Sequence, residues 1–324
     1  MFTEFDLKSP GEKSFSIIIL TYNRRELLNR LLCSIEEIPW PSLETIVVDN
    51  YSTDGTQDMF PALFPNVSYI RMDRNMGIGA RNSGMKAAHG EFLITLDDDI
   101  LGISAKDLII LQEIFTVRPN VGVVNFKVIN PLDDSLSNWV HHCPSEEFHD
   151  KEFLTYEITE GAVAFRKKTL EIAGYYSAGF FISHEGPDLA FRIYESGFQV
   201  IYTGRICVKH FHASEGRTPW RNYYYDTRNQ FLLAFRNFPL KYGAIYLVRG
   251  QLAMFLYSLR DGFIKYWAKG VFDGIRIVLE LKNQRRVLSK KTMMIISDID
   301  SKRPSMYYMI KKRILRRGVA ENLK

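Results

Sequence analysis

Cysteine is scarce in this sequence. Only Cys33, Cys143 and Cys207 occur in 324 residues, with no C-x-x-C spacing, which argues against a disulfide framework or a structural zinc site and fits a reducing compartment. Long apolar runs are missing too. Those near the C-terminus are broken by Arg249, Arg260 and Lys265, short of the roughly 18–20 residues that a bilayer-spanning helix needs. The opening MFTEFDLKSPGEKSFS lacks the basic and apolar blocks of a secretory signal. These absences together predict a cytoplasmic protein. No G-x-G-x-x-G follows a strand-like run, which disfavours a dinucleotide-dependent dehydrogenase, and no repeat or low-complexity tract is visible.

What is present is a globular composition, with 46% hydrophobic and 24% charged residues. Charge is unevenly placed. Residues 241–324 hold 19 Lys and Arg against 6 Asp and Glu, whereas residues 1–240 hold 23 against 31, a split that suggests different partners for the two regions. Texture changes near Pro239 as well. The predicted organisation is one domain over 1–239, with a first half at about 14–128 and a second at about 129–239. A basic, amphipathic, helical region follows over 240–324.

Ser14 to Leu20 (SFSIIIL) reads as a buried strand, and Arg24 to Ile38 places apolar residues at helical spacing. Further strands are expected at Glu44–Val48, Val67–Arg71, Glu91–Leu96 and Val121–Val128, with helices over Gly79–His89 and Leu108–Val117. Strand and helix in this alternation predict an α/β fold with a mostly parallel central sheet flanked by helices. Ligands of such sheets bind beyond the carboxyl ends of the strands. Three polar clusters stand at those ends: Thr21-Tyr22-Asn23, Asp49-Asn50 and Asp97-Asp98-Asp99. Three adjacent carboxylates repel one another unless a cation or donors compensate, and oxygen ligands of this kind suit Mg²⁺ or Mn²⁺. The blander alternative is a solvated acidic turn or a helix N-cap. Residues 130–150, rich in His, Ser, Pro and acids, are expected to form a loop over the site.

The strings IIILTYNRRELLNRLLCSI, IVVDNYSTDGT and RNMGIGARNSGMKAAHGEFLITLDDD resemble the catalytic domain of family 2 glycosyltransferases, inverting enzymes with the GT-A fold. GYYSAGFFISHEGPDLAFRIYESGFQVIY, VKHFH and RNYYYDTRNQFLLAFRNFP resemble that family's later elements, so the likeness spans roughly residues 14–238. It implies a nucleoside-diphosphate sugar as donor, of UDP or dTDP type, and a glycan or lipid-linked acceptor. Thr21, Tyr22 and Asn23 would line the nucleotide, and Asp49 would accept a hydrogen bond from the base imide. Asn75 and Arg81 would sit near the donor, Arg81 as a charge-assisted partner for a phosphate or an acid. Asp97 would contact ribose or sugar beside Asp98, and Asp99 would ligate Mg²⁺ or Mn²⁺ with His210 completing the shell. Turn-capping for Asp49 and a surface position for Arg81 are the structural alternatives.

Inverting transfer needs a base for the acceptor hydroxyl. The family commonly carries a Glu-Asp pair before an Asp/Glu-Leu-x-x-Arg segment. Here the text is His184-Glu185-Gly186-Pro187-Asp188-Leu189-Ala190-Phe191-Arg192, so the second acid is replaced by glycine. Glu185 is the first choice for the base and Asp188 the reserve. Arg192, His212, Trp220 and Tyr224 are assigned to the acceptor side, with core packing as the alternative for the aromatics. The His141-His142 pair is read as a solvent or acceptor contact. Basic residues among aromatics in the C-terminal region suit an anionic membrane surface, or else an oligomer contact or a solvated face; no nucleic acid is expected. Two other functions stay open: a catalytically silent carbohydrate-binding protein of the same fold, favoured by Gly186, and a nucleotidyltransferase, which would need a Gly-rich basic loop where TYNRREL stands.

Overall fold

The computed structural model describes residues 13–137, 139–211, 218–280 and 285–303. The first half builds β1 (Phe15–Thr21), α1 (Arg25–Glu36), β2 (Leu43–Asp49), β3 (Ser68–Arg71), α2 (Arg81–Ala87), β4 (Phe92–Asp97), β5 (Ile100–Leu101), α3 (Ala105–Val117) and β6 (Val121–Ile129). The second adds α4 (Ser145–Phe148), β7 (Glu152–Leu154), β8 (Ala162–Arg166), α5 (Lys167–Ala173), α6 (Glu185–Glu195), β9 (Gln199–His210) and α7 (Trp220–Asn237). Three further helices follow: α8 (Leu240–Arg260), α9 (Ile264–Glu280) and α10 (Lys290–Ser301).

Among the described residues the strands form one sheet in the order β3-β2-β1-β4-β8-β6-β9-β5, with β7 also on β9. The strands β3, β2, β1 and β4 pair in parallel, β8 runs against both β4 and β6, and β6 and β9 are parallel again. The sheet is therefore mostly parallel, as the alternation of elements predicts. Period-two alternation along β1 divides the core. Ile17 and Ile19 meet Leu28, Leu31 and Leu32 of α1 on one face, and Ile18 meets the layer of α2, α5, α6 and α7 on the other. The helix expected over 79–89 opens as a short 3₁₀ turn at Gly77–Ala80 before α2 begins.

Residues 130–150 do not form a free loop. Tyr202 on β9 donates its hydroxyl to the His149 carbonyl at 2.6 Å. His141 and His142 are buried, with His141 among Trp139, Phe153 and Tyr202. Burial pushes the His141 imidazole down to about 3, so it stays neutral inside this aromatic cluster. The pair is core, which corrects its reading as a solvent or acceptor contact. At Pro239 the chain passes from α7 to α8, yet α10 returns to the catalytic half. Asp300 accepts hydroxyl hydrogens from Tyr156 at 2.6 Å and Tyr242 at 2.8 Å, and Arg303 pairs with Glu157 at 2.9 Å. No helix among the described residues is long and apolar enough to cross a membrane.

Candidate active site

Sheet register assembles the site. Pairing of Leu20 with Asp97 and of Thr21 with Asp49 brings the ends of β1, β2 and β4 side by side. The three polar clusters of the sequence meet there. Pairing of Ile100 with His210 brings the end of β9 next to the same acids.

The three aspartates have different environments. Asp97 keeps a side chain 37% exposed and is held by the Arg81 guanidinium. Arg81 itself is completely buried and also donates to the Leu96 carbonyl at 2.9 Å. It is therefore no surface helix residue, and its charge-assisted partner is an acid. Asp98 is buried, accepting from Thr21 Oγ1 at 2.8 Å and Arg24 Nη1 at 2.9 Å. Burial lifts its carboxyl to about 6, with Arg24 pulling the other way. Asp99 is fully buried, with Oδ2 at 2.8 Å from Arg24 Nη1 and 3.2 Å from His210 Nε2. Burial works against the Arg24 charge, but Asp98 and Asp99 outweigh it and raise its pKa. Sequence reasoning missed Arg24. Its signal was available in the spacing, because a cation three residues past the end of β1 can face acids at the end of the adjacent β4.

Carboxylate oxygen and imidazole nitrogen are the donors that small hard divalent cations accept. Asp99 and His210 bring two such donors within 3.2 Å of each other, while among the described residues no group of three or more His, Cys, Asp or Glu side chains gathers to hold an ion.

At the end of β2, Asp49 is fully buried, and both of its oxygens are engaged. Ser52 N donates to Oδ1 at 2.7 Å, and Arg71 Nη1 at 3.3 Å and the Tyr69 hydroxyl reach Oδ2. Asp49 thus holds the β2 turn, as its structural alternative has it. Asn23, left-handed at φ 54°, accepts from Thr53 N at 2.7 Å. Asn50 joins that turn to the next segment by donating to Asn75 Oδ1 at 3.0 Å and accepting from Met76 N at 2.8 Å. Tyr22 is 46% exposed at the mouth.

On the acceptor side, His184 turns left-handed at φ 66° and launches α6 with Glu185 as its first residue. Glu185 is buried, and its Oε2 has no hydrogen-bond partner among the described residues. Burial first, then the neighbouring Glu160 charge, push its carboxyl well above the usual range. Asp188 lies away from this opening. It is fully buried, tied to Arg192 at 3.2 Å, Arg236 at 3.2 Å and Asn237 Nδ2 at 3.0 Å. With both oxygens so engaged it anchors α6 to α7, which removes it as the reserve base. Arg192 also donates to the Ala173 and Tyr175 carbonyls at 2.7 and 2.8 Å, so it braces the approach to α6.

Trp220 stacks on Tyr266 with centroids 5.0 Å apart, and Tyr224 donates its hydroxyl to Asp273 at 2.7 Å, so both tie α7 to α9. Tyr224 also lines a cavity of about 400 Å³ with Phe181, Tyr225 and Arg228. His212 lies outside the described residues.

Clustered acids, compensating arginines and a convergent histidine thus stand together at the carboxyl ends of β1, β2 and β4. The model of the family described as glycosyl transferase family 2 matches residues 16–168 of this chain. The chain is 41% identical over 99 residues to the uncharacterized glycosyltransferase YfnE of Bacillus subtilis, which covers 29% of this chain and 24% of YfnE. It is 35% identical over 89 residues to a GalNAc(5)-diNAcBac-PP-undecaprenol beta-1,3-glucosyltransferase of Campylobacter jejuni, covering 26% of this chain and 29% of that protein. The matches thus span about a quarter of the length of these relatives. Among solved structures, S. aureus TarS 1-349 in complex with UDP-GlcNAc aligns with a TM-score of 0.57 at 19% identity, covering 82% of this chain and 81% of TarS 1-349. A Pyrobaculum calidifontis mannosyltransferase in complex with GDP-Man and Mn²⁺ aligns at 0.55 and 19% identity, covering 89% and 79%. These likenesses establish the shared GT-A fold.

Proposed function

We propose that the protein is an inverting, metal-assisted glycosyltransferase that moves a sugar from a UDP- or dTDP-type donor to a hydroxyl of a glycan or lipid-linked acceptor. One observation carries the reading. Asp97 stands half open at a strand end, beside the buried Asp98-Asp99 pair, where the ends of β1, β2 and β4 meet. The family-model match over residues 16–168 supports the same chemistry.

Thr21, Tyr22 and Asn23 would bind the nucleotide, with Asn75 and the Asp49 turn framing its base end. Asp97, oriented by Arg81, would hold ribose or sugar hydroxyls. Asp99 and His210 would hold the divalent cation, which when bound neutralises charge on the diphosphate leaving group. A carboxylate lying against the first turn of α6 would take the acceptor proton.

The lipid-linked acceptor has support from the C-terminal helices. On α8, Ile245, Val248, Leu252 and Leu259 are exposed at one-face spacing, as are Phe272, Ile275 and Leu279 on α9. Exposed Lys241 and Arg249, and Lys265 and Lys269, accompany them. Apolar stripes with basic residues suit peripheral contact with an anionic membrane.

The test is a screen of nucleotide-sugars with Mg²⁺ or Mn²⁺, reading nucleoside diphosphate release by wild type and Asp99→Ala. Release by the wild type and its loss in a folded Asp99→Ala protein is the expected result. Equal turnover by both would remove Asp99 from the metal site, and silence of the wild type with every donor would leave a binding protein.

A further inference from the structure

The carboxyl that takes the acceptor proton can be assigned from geometry around Gly186, and this assignment rests on the glycosyl-transfer reading. We infer that Glu160 is the general base.

Glu160 sits in the segment leading into β8. Its carbonyl accepts from Thr95 Oγ1 at 2.6 Å, and the Gly161 carbonyl accepts from Asp97 N at 3.1 Å. The segment is thereby fixed against the end of β4. Two glycines let carboxylates approach it. A methyl on Gly161 would lie 2.4 Å from Asp97 Oδ2, and a methyl on Gly186 would lie 2.5 Å from Glu160 Oε1. Glu160 thus occupies the space that any side chain at position 186 would need. Its carboxylate stands between the donor-side Asp97 and the first turn of α6.

Unsatisfied groups cluster at the same place. Glu185 Oε2, the Tyr176 hydroxyl and Arg81 Nε are buried without a hydrogen-bond partner among the described residues. Tyr176, Arg81 and Glu185 all interact electrostatically with Glu160 or with one another. Buried polar atoms are ordinarily paired, so a group of three marks a surface meant for a polar ligand.

The two glutamates differ in what they can do. Glu185 is buried, out of reach of an acceptor hydroxyl. Glu160 is half-buried, hence reachable. Burial pushes it up to about 7; Asp97 and Glu157 push the same way, and Arg81 opposes. Asp226 faces Glu185 from α7 and adds to its retention of the proton. A base poised near neutrality suits general-base catalysis. In the step, the acceptor oxygen bonds to the anomeric carbon as the carbon–oxygen bond to diphosphate breaks. The electron pair of that bond leaves with the nucleoside diphosphate, and the hydroxyl proton passes to Glu160.

The experiment uses the full chain with Mn²⁺ and the nucleotide-sugar that the wild type turns over, water standing in for the acceptor. Nucleoside diphosphate release, UDP binding by calorimetry and thermal melting are read for E160Q, E185Q, E160A and E160D. E160Q is expected to lose at least ~100-fold in release with UDP affinity kept. E185Q, isosteric with a protonated glutamic acid, should lose less than about tenfold and keep the acid limb of the pH profile near neutrality. E160D keeps a carboxylate on the same segment and should retain at least about tenfold over E160A. E160Q within about tenfold of wild type, or an E185Q loss as large as that of E160Q, would overturn the assignment. A wild type inert toward every donor overturns the transfer reading itself, and the assignment with it.

Discussion

Two Arg–Asp pairs, Arg81 with Asp97 and Arg192 with Asp188, look alike in sequence and differ in kind. In the first the arginine is buried and the carboxylate is left half open beside other acids. In the second the carboxylate is buried and saturated by two arginines and an asparagine. A buried cation that aims an exposed acid prepares that acid for a ligand, whereas a buried acid closed on all sides joins two helices. The exposure of the acid decides which is functional.

Substitution separates the pairs most sharply. Asp97→Asn should lower nucleoside diphosphate release per folded molecule by about 100-fold or more, and it should also cost stability because the fully buried Arg81 is left beside a neutral group. Asp188→Asn should cost about 3–5 kcal/mol in urea unfolding, because Arg192 and Arg236 are left buried beside a neutral group, with turnover per folded molecule changed little. The reverse pattern would make Asp188 the site residue. Next in size is Arg24→Gln. With the guanidinium gone from Asp99 Oδ2, Mn²⁺ titrated without nucleotide should bind at least severalfold more tightly; unchanged affinity would put the cation elsewhere.

A third prediction concerns pH. The folded-state pKa of Glu185 is raised, so the native protein holds that proton more tightly than the unfolded chain does. Stability from this source is full below the ordinary pKa near 4.5 and declines as pH climbs above it. Glu185→Gln should therefore melt higher than wild type at about pH 8 and with no difference at about pH 4. A difference of the same size at both values would point to packing. Smallest is the effect of Val248→Asp with Leu252→Asp, which should weaken sedimentation with anionic vesicles severalfold while leaving turnover of soluble substrates alone. Undiminished sedimentation would clear α8 of any role in docking.

Legibility in the sequence followed locality. The strand ends at Thr21, Asp49 and Asp97 were legible because apolar β-branched runs stop abruptly at polar clusters, and parallel pairing then brings such ends together. His210 was legible from the family's likeness, and its meeting with Asp99 follows from the Ile100–His210 register. Long-range neighbours were not. Glu160 reaches Gly186 across 26 positions, and nothing local tells which acid fills the room that a glycine leaves. Burial was equally hidden, since Arg81, Asp188 and His141 are polar residues whose enclosure depends on elements far along the chain.

The contacts of α10 give the basic helical region a second meaning. Arg303 and Asp300 clamp Tyr156 and Glu157, three or four residues before Glu160, while Asn125 Oδ1 holds Thr159 N at 2.8 Å. The far end of the chain thus works as a buttress for the segment that precedes β8. Shortening the protein at about residue 290 would slacken that segment and misalign its carboxylate, even with every residue of the donor pocket in place.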